Sequence, residues 1–104
     1  MDAQLKKGLL DGCILAALET GESYGWKIIE NTGSIIEISE STLYPILKRL
    51  ESVGCLTCDG REHNGRLRKY YRITEAGRAK LKELRDDLGG MDKVYNYILG
   101  GKND

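Results

Sequence analysis

Along the first twenty residues the apolar positions recur at helical spacing: Leu5, Leu9, Leu10, Cys13, Ile14, Ala17 and Leu18. That repeat predicts a helix over residues 4–19 with an apolar arc wide enough to be contacted on two sides. "TGES" breaks it, and Ser23 is placed to cap a shorter helix through Asn31, with Ile28 and Ile29 turned inward. "NTGS" ends that helix. In "STLYPILKRLESVG", residues 41–54, Leu43, Ile46, Leu47, Leu50 and Val53 fall on one side of a third helix. Ser41, Tyr44, Pro45, Lys48 and Ser52 fall on the other. This helix starts at Ser39 or Ser41 and stops at Gly54, which suits a left-handed C-terminal turn. Proline is tolerated only near a helix start, and a cap at Ser41 keeps Pro45 in the first turn.

The period then changes from helical to alternating. Residues 55–61 and 66–73 read as strands separated by "HNG", and Asn-Gly is the strongest short hairpin signal. In "RLRKYYRI", Leu67, Lys69, Tyr71 and Ile73 share one face, and Arg68, Tyr70 and Arg72 the other. Thr74 caps a last helix with Glu75 in its first turn, where an acid suits the helix dipole. Helix, helix, helix, hairpin, helix is the order of a winged helix-turn-helix, a mainly α (α+β) fold. The division expected is a DNA-binding domain over residues 1–74 and a C-terminal dimerisation helix and tail over 75–104.

Within that last helix Leu81, Leu84, Leu88, Met91, Tyr95 and Ile98 step by three and four, a heptad seam. Each such side chain is worth roughly 1.5–3 kcal/mol when fully buried. A second subunit is the expected partner, with Leu5 and Leu9 of the first helix joining the interface; packing back on its own domain is the alternative. Gly89-Gly90 interrupts the helix at about 1 kcal/mol per glycine relative to alanine, which predicts a kink or a close helix approach.

Composition changes this picture in two places. Lys and Arg number 16 and Asp and Glu 16, so net charge gives no support for nucleic-acid binding. The distribution does: Arg61, Arg66, Arg68, Lys69 and Arg72 face a single acid, Glu62, in the same twelve-residue stretch. Phosphate tracking needs such cations flanking a glycine turn, and the positive N-terminal end of the third helix adds Ser39, Ser41, Thr42 and Tyr44, with Lys48 one turn on. The three cysteines exclude a closed disulfide framework, and no second pair or histidine cluster completes a zinc site around Cys55 and Cys58. In a strand those two thiols point to opposite faces; no metal and no cofactor is expected. One histidine, His63, lies in a turn, so no base, nucleophile and orienting acid assemble and an enzyme has no support. No apolar run approaches the ~20 residues of a membrane span, and the N-terminus lacks signal-peptide order, so the cytoplasm is the expected location.

"STLYPILKRLESVG" followed by "GRLRKYYRITEAG", with "SYGWKI" upstream, resembles the PadR family of bacterial transcriptional regulators over residues 8–99. The resemblance implies a homodimeric repressor that binds a palindromic operator in double-stranded DNA and releases it to an apolar or aromatic small-molecule effector. It places Tyr24, Ser41, Tyr44, Lys48, Arg66, Arg68 and Lys69 on the DNA side, and Trp26, which stands where that family commonly has tyrosine, is expected to pack. The single short final helix resembles the shorter subgroup, some of whose members stack flat drugs on a tryptophan in that helix. Met91 and Tyr95 stand here without such a tryptophan. The rival reading is a winged-helix dimer that holds a ligand or a protein without operator-specific DNA binding.

Overall fold

A computed structural model of the chain describes residues 3–101, so the last residues of the expected tail, 102–104, lie outside the described residues. The elements run α1 (Ala3–Ala17), β1 (Ser23–Tyr24), α2 (Gly25–Thr32), α3 (Glu40–Ser52), β2 (Leu56–His63), β3 (Arg66–Ile73), α4 (Glu75–Gly89) and α5 (Asp92–Ile98). No helix among the described residues is long and apolar enough to cross a membrane.

The core forms where the helical arcs meet the inner face of the sheet. Ile14, Leu15 and Leu18 of α1 and its end, Ile28 of α2, and Leu43, Leu47 and Leu50 of α3 are fully buried, closed below by Leu56, Tyr71 and Ile73. Ile36 and Ile38 tie the α2–α3 turn to this core. Val53, expected on the apolar side of α3, is 59% exposed because the helix has already ended there. Behind it Gly54 takes φ 83°, Gly54 N–H donates to the Glu51 carbonyl and Cys55 N–H to that of Leu50. This paired closure satisfies carbonyls that the helix end leaves open.

At α3 the structure chooses between two starts that the sequence left open, and at Ser23 and β1 it departs from the sequence reading. Of the two candidate serines, Ser39 caps α3, its hydroxyl accepting from Thr42 N–H at 3.3 Å. Pro45 therefore sits in the second turn, and the Ser41 carbonyl loses the donor four residues on, since proline carries no N–H. Ser23 does not cap α2; it lies on the core side of β1, 6% exposed, with its hydroxyl unpartnered. β1 has no local signal of its own. It exists because Ser23 and Tyr24 pair with Tyr71 and Tyr70 of β3, giving a sheet of order β1-β3-β2.

The expected single final helix is two. Gly90 and Met91 keep right-handed backbone (φ/ψ −78°/−12° and −91°/−9°) with ψ too near zero to continue α4, so the chain bends and resumes as α5. A Cβ on Gly89 would meet nothing, and one on Gly90 would make only ordinary contacts with carbonyls of its own helix at 3.6 and 3.9 Å, so among the described residues the glycines serve no close approach. The start of α4 is fixed by Thr74, whose hydroxyl caps Gly77 N–H at 3.1 Å and donates to the Gly54 carbonyl at 2.6 Å. Leu81, expected on the outer seam, is 4% exposed and packs in the core of its own chain. Leu84 is half-buried against α1, where Gly12 leaves it room. Arg85 grips Glu19 through two hydrogen bonds of 2.7 and 2.8 Å, and Arg78 donates to the Glu19 carbonyl. The hydrogen bonds from Arg85, aided by the charges of Arg85 and Arg78, hold the Glu19 carboxyl below its ordinary range against desolvation. Beyond Leu84 the residues of α4 and α5 are exposed, and the molecule measures 59 × 26 × 21 Å.

Candidate nucleic-acid interface

The hairpin turns at Asn64 and Gly65, both with positive φ (51° and 78°), as a two-residue turn matched to strand twist requires. β2 and β3 pair from Leu56↔Ile73 to His63↔Arg66, whereas β1 reaches only Tyr70 and Tyr71. The edge of β3 from Arg66 to Lys69 is thus unpaired, and it forms one wall of a concavity of about 720 Å³. The other wall is the start of α2, with Gly25 and Trp26, and Tyr44 of α3. A Cβ on Gly25 would lie 2.5 Å from the Tyr44 phenol oxygen, so the glycine lets α2 and α3 close up here. Tyr24, His63, Asn64 and Leu67 complete the lining. The groove holds Arg66, Arg68 and Lys69 and no carboxylate.

Of the expected DNA residues, Tyr24, Tyr44, Arg66, Arg68 and Lys69 are brought together in this groove. Ser39, Ser41 and Thr42 form a separate cluster at the start of α3. The Ser39 hydroxyl lies 3.0 Å from that of Ser41 and donates to that of Thr42 at 3.1 Å. Lys6 of α1 borders this cluster, a neighbour that no local sequence signal announces. Lys48 stands exposed on α3, outside both depressions. Arg49 turns the other way and binds Asp11 of α1 at 2.6 Å, tying α3 to α1.

Two further corrections concern the cations and the aromatics. Arg61 and Arg72, counted in the basic cluster, bind Glu22: Arg61 through both carboxylate oxygens and Arg72 at 3.4 Å. Arg61 also donates to Asp59 at 2.9 Å. The hydrogen bonds from Arg61 hold the Glu22 carboxyl below its ordinary range, against the opposing effect of desolvation. Trp26, expected to pack, is 62% exposed on the groove wall. Its place one residue past the glycine that opens α2 was the available signal, but the strand-to-helix corner that turns it outward is tertiary.

Cys55 and Cys58 do not face opposite ways. Cys55 precedes the strand and is 5% exposed, and Cys58 packs against the same core. Burial, with the Cys58 thiol adding to it, pushes the Tyr71 phenol up to about 12. Burial also raises the Cys13 thiol above its ordinary value.

Three core helices, a hairpin whose free edge flanks the third of them, and a cationic groove between the two define a winged helix-turn-helix protein. Residues 14–83 match the model of the transcriptional regulator PadR-like family, so this chain belongs to that family. Its members are transcriptional regulators and not enzymes. The chain is similar to transcriptional regulator Rv3488 of Mycobacterium tuberculosis, 42% identical over 66 residues, 64% of this chain and 59% of that one. The match thus spans less than two thirds of that regulator's length. It is also similar to the structure of a transcriptional regulator from Clostridium thermocellum, with 33% identity, 91% and 97% coverage and a TM-score of 0.82. The structure of Bacillus subtilis PadR in complex with operator DNA matches with 27% identity and a TM-score of 0.69, over 73% of this chain and 45% of PadR.

Proposed function

We propose that this protein is a homodimeric, sequence-specific DNA-binding repressor whose operator is released by a small apolar or aromatic effector. The observation that carries the DNA reading is the groove in which Arg66, Arg68 and Lys69 converge without a carboxylate beside Tyr24, Tyr44 and Trp26. Cations on a hairpin edge neutralise phosphates, and Lys48, exposed on α3 outside the groove, reaches a base edge or phosphate. Ser39, Ser41 and Thr42 present hydroxyls at the helix end whose partial charge favours phosphate. The B. subtilis PadR complex with operator DNA supports this reading. The residues up to 74 carry the DNA face, and those from 75 onward the dimer contact. Leu88, Met91, Tyr95 and Ile98, exposed at 40, 49, 61 and 76%, form the apolar strip that a second subunit covers. Leu5 and Leu9 of α1 border the same interface, and the effector binds between the two arms. Such a regulator acts in the cytoplasm, where the chromosome is.

A dyad relating two α3 helices sets half-sites about one helical turn apart, roughly 10 bp. Fluorescence anisotropy on the protein's own promoter DNA is expected to show salt-dependent binding that falls steeply with ionic strength. Absence of such binding sinks the DNA reading and leaves a ligand-holding or protein-binding dimer. Light scattering tests the dimer independently. Tyr95→Asp with Ile98→Asp is expected to halve the particle mass, and an unchanged mass refutes the interface.

A further inference from the structure

The strand register sets Arg61 directly opposite Arg68, and both side chains lie on the outer face of the sheet with Tyr70 and Tyr24. Like charges in that relation repel across a β-pair. The structure separates them with rings. The Arg61 guanidinium carbon lies 4.5 Å above the Tyr70 ring, and that of Arg68 lies 4.0 Å above the Tyr24 ring. The two rings meet edge to face with centroids 5.6 Å apart. Glu22, two residues before Tyr24, closes the far end by binding Arg61 through both oxygens and Arg72 beside it. The result is a ladder, Glu22–Arg61–Tyr70–Tyr24–Arg68, that begins outside the groove and ends in it.

From this placement we infer that Glu22 and Arg61 are positioning residues for the wing: they hold the ladder that sets Arg68 at the groove, and Arg61 does not touch DNA. The inference rests on the groove being the DNA face. Of the five cations between residues 61 and 72, two are turned to Glu22 and three line the groove. A guanidinium held over a ring face by cation–π attraction keeps its hydrogen-bonding capacity for phosphate, so Arg68 is both held and available. Glu22 therefore favours DNA binding although its charge repels phosphate. That opposition of sign makes the idea testable.

The experiment measures binding of the full chain to its own promoter duplex and to a random duplex of equal length, across a range of salt. Arg68→Gln is expected to lower the slope of log K against log salt by about one. Arg61→Gln is expected to leave that slope unchanged and to weaken promoter binding about two- to fivefold, the scale of one exposed ion pair. Glu22→Gln is expected to lower the preference for promoter over random DNA by the same factor. In NMR spectra of the free protein, the Arg68 side-chain methylene signals should lie upfield under the Tyr24 ring and return toward free arginine values in Arg61→Gln and Glu22→Gln. A slope lowered by about one in Arg61→Gln makes Arg61 a phosphate contact and overturns the inference. So does an Arg68 signal that stays upfield in both variants. If Arg68→Gln itself leaves DNA binding untouched, the DNA reading of the groove fails, and that result is separable because the NMR signals report the ladder without DNA.

Discussion

Tyr24 and Tyr70 on the outer face of the sheet each sit under a guanidinium, and the arginine at the far end is held by Glu22 and Asp59. Tyr95 and Tyr97 on α5 are 61% and 75% exposed beside Met91, Val94, Ile98 and Leu99, and no residue of α5 is buried. Both regions are aromatic surface, yet their chemistry differs. On the sheet, rings and cations satisfy one another within the chain, and Arg66, Arg68 and Lys69 line the groove without a carboxylate, which suits an anionic partner. On the arm, contiguous apolar surface stays open, and apolar patches of that kind mark a surface meant to be covered. The two regions meet in α4. Its first half, with Leu81 and Leu84, belongs to the core, and its second half, from Leu88, belongs to the arm.

The contrast within α4–α5 is broken most directly by truncating both ends of the same apolar strip. Leu81→Ala is expected to destabilise the chain by about 2–5 kcal/mol, since it empties a core site. Ile98→Ala, at a position 76% exposed, should leave urea unfolding of the dilute monomer within about 0.5 kcal/mol. Equal losses in urea denaturation would show that α5 is packed within one chain.

The sheet offers a second contrast, between its buried and outer tyrosines. The Tyr71 phenol is pushed to about 12 from an ordinary 10.0, so folding favours its neutral form. The stability it contributes is complete below pH about 10 and is lost as pH rises toward 12, at most about 2–3 kcal/mol. Tyr71→Phe should flatten thermal midpoints across that window; midpoints that fall just as steeply would show that this phenol does not carry the effect. On the DNA side, Lys48→Ala is expected to cost about 1–3 kcal/mol on promoter DNA and little on random DNA if α3 reads bases. An equal loss on both, in the same anisotropy assay, assigns Lys48 to phosphate. The smallest effect lies at the bend: Gly89→Ala meets open space in a helical position and should raise stability by about 0.5–1 kcal/mol in thermal melts. A loss instead would show that the arm depends on that glycine's freedom.

Much of the fold was legible where a local rule has one structural solution. Asn64-Gly65 announced the hairpin, Gly54 the end of α3 and Thr74 the start of α4, and all three are found there. The site was legible in its residue types more than in its arrangement. Arg66, Arg68, Lys69, Tyr24 and Tyr44 do converge. Glu22, however, lies 39 residues from Arg61 and 50 from Arg72, and nothing in the local pattern announces those pairs. β1 has no local signature for the same reason, since two residues become a strand only when β3 lies beside them.

The linear order of apolar, turn and capping residues by itself determined the helices, the hairpin and its basic edge, because each follows from spacing and local backbone preference. Tertiary structure alone decided which cations face outward, where Trp26 points, and where the seam of the last helix divides between core and surface. Periodicity fixes which side chains share one side of a helix; what covers that side depends on how far the neighbouring elements reach, and here α1 ends its cover at Leu84.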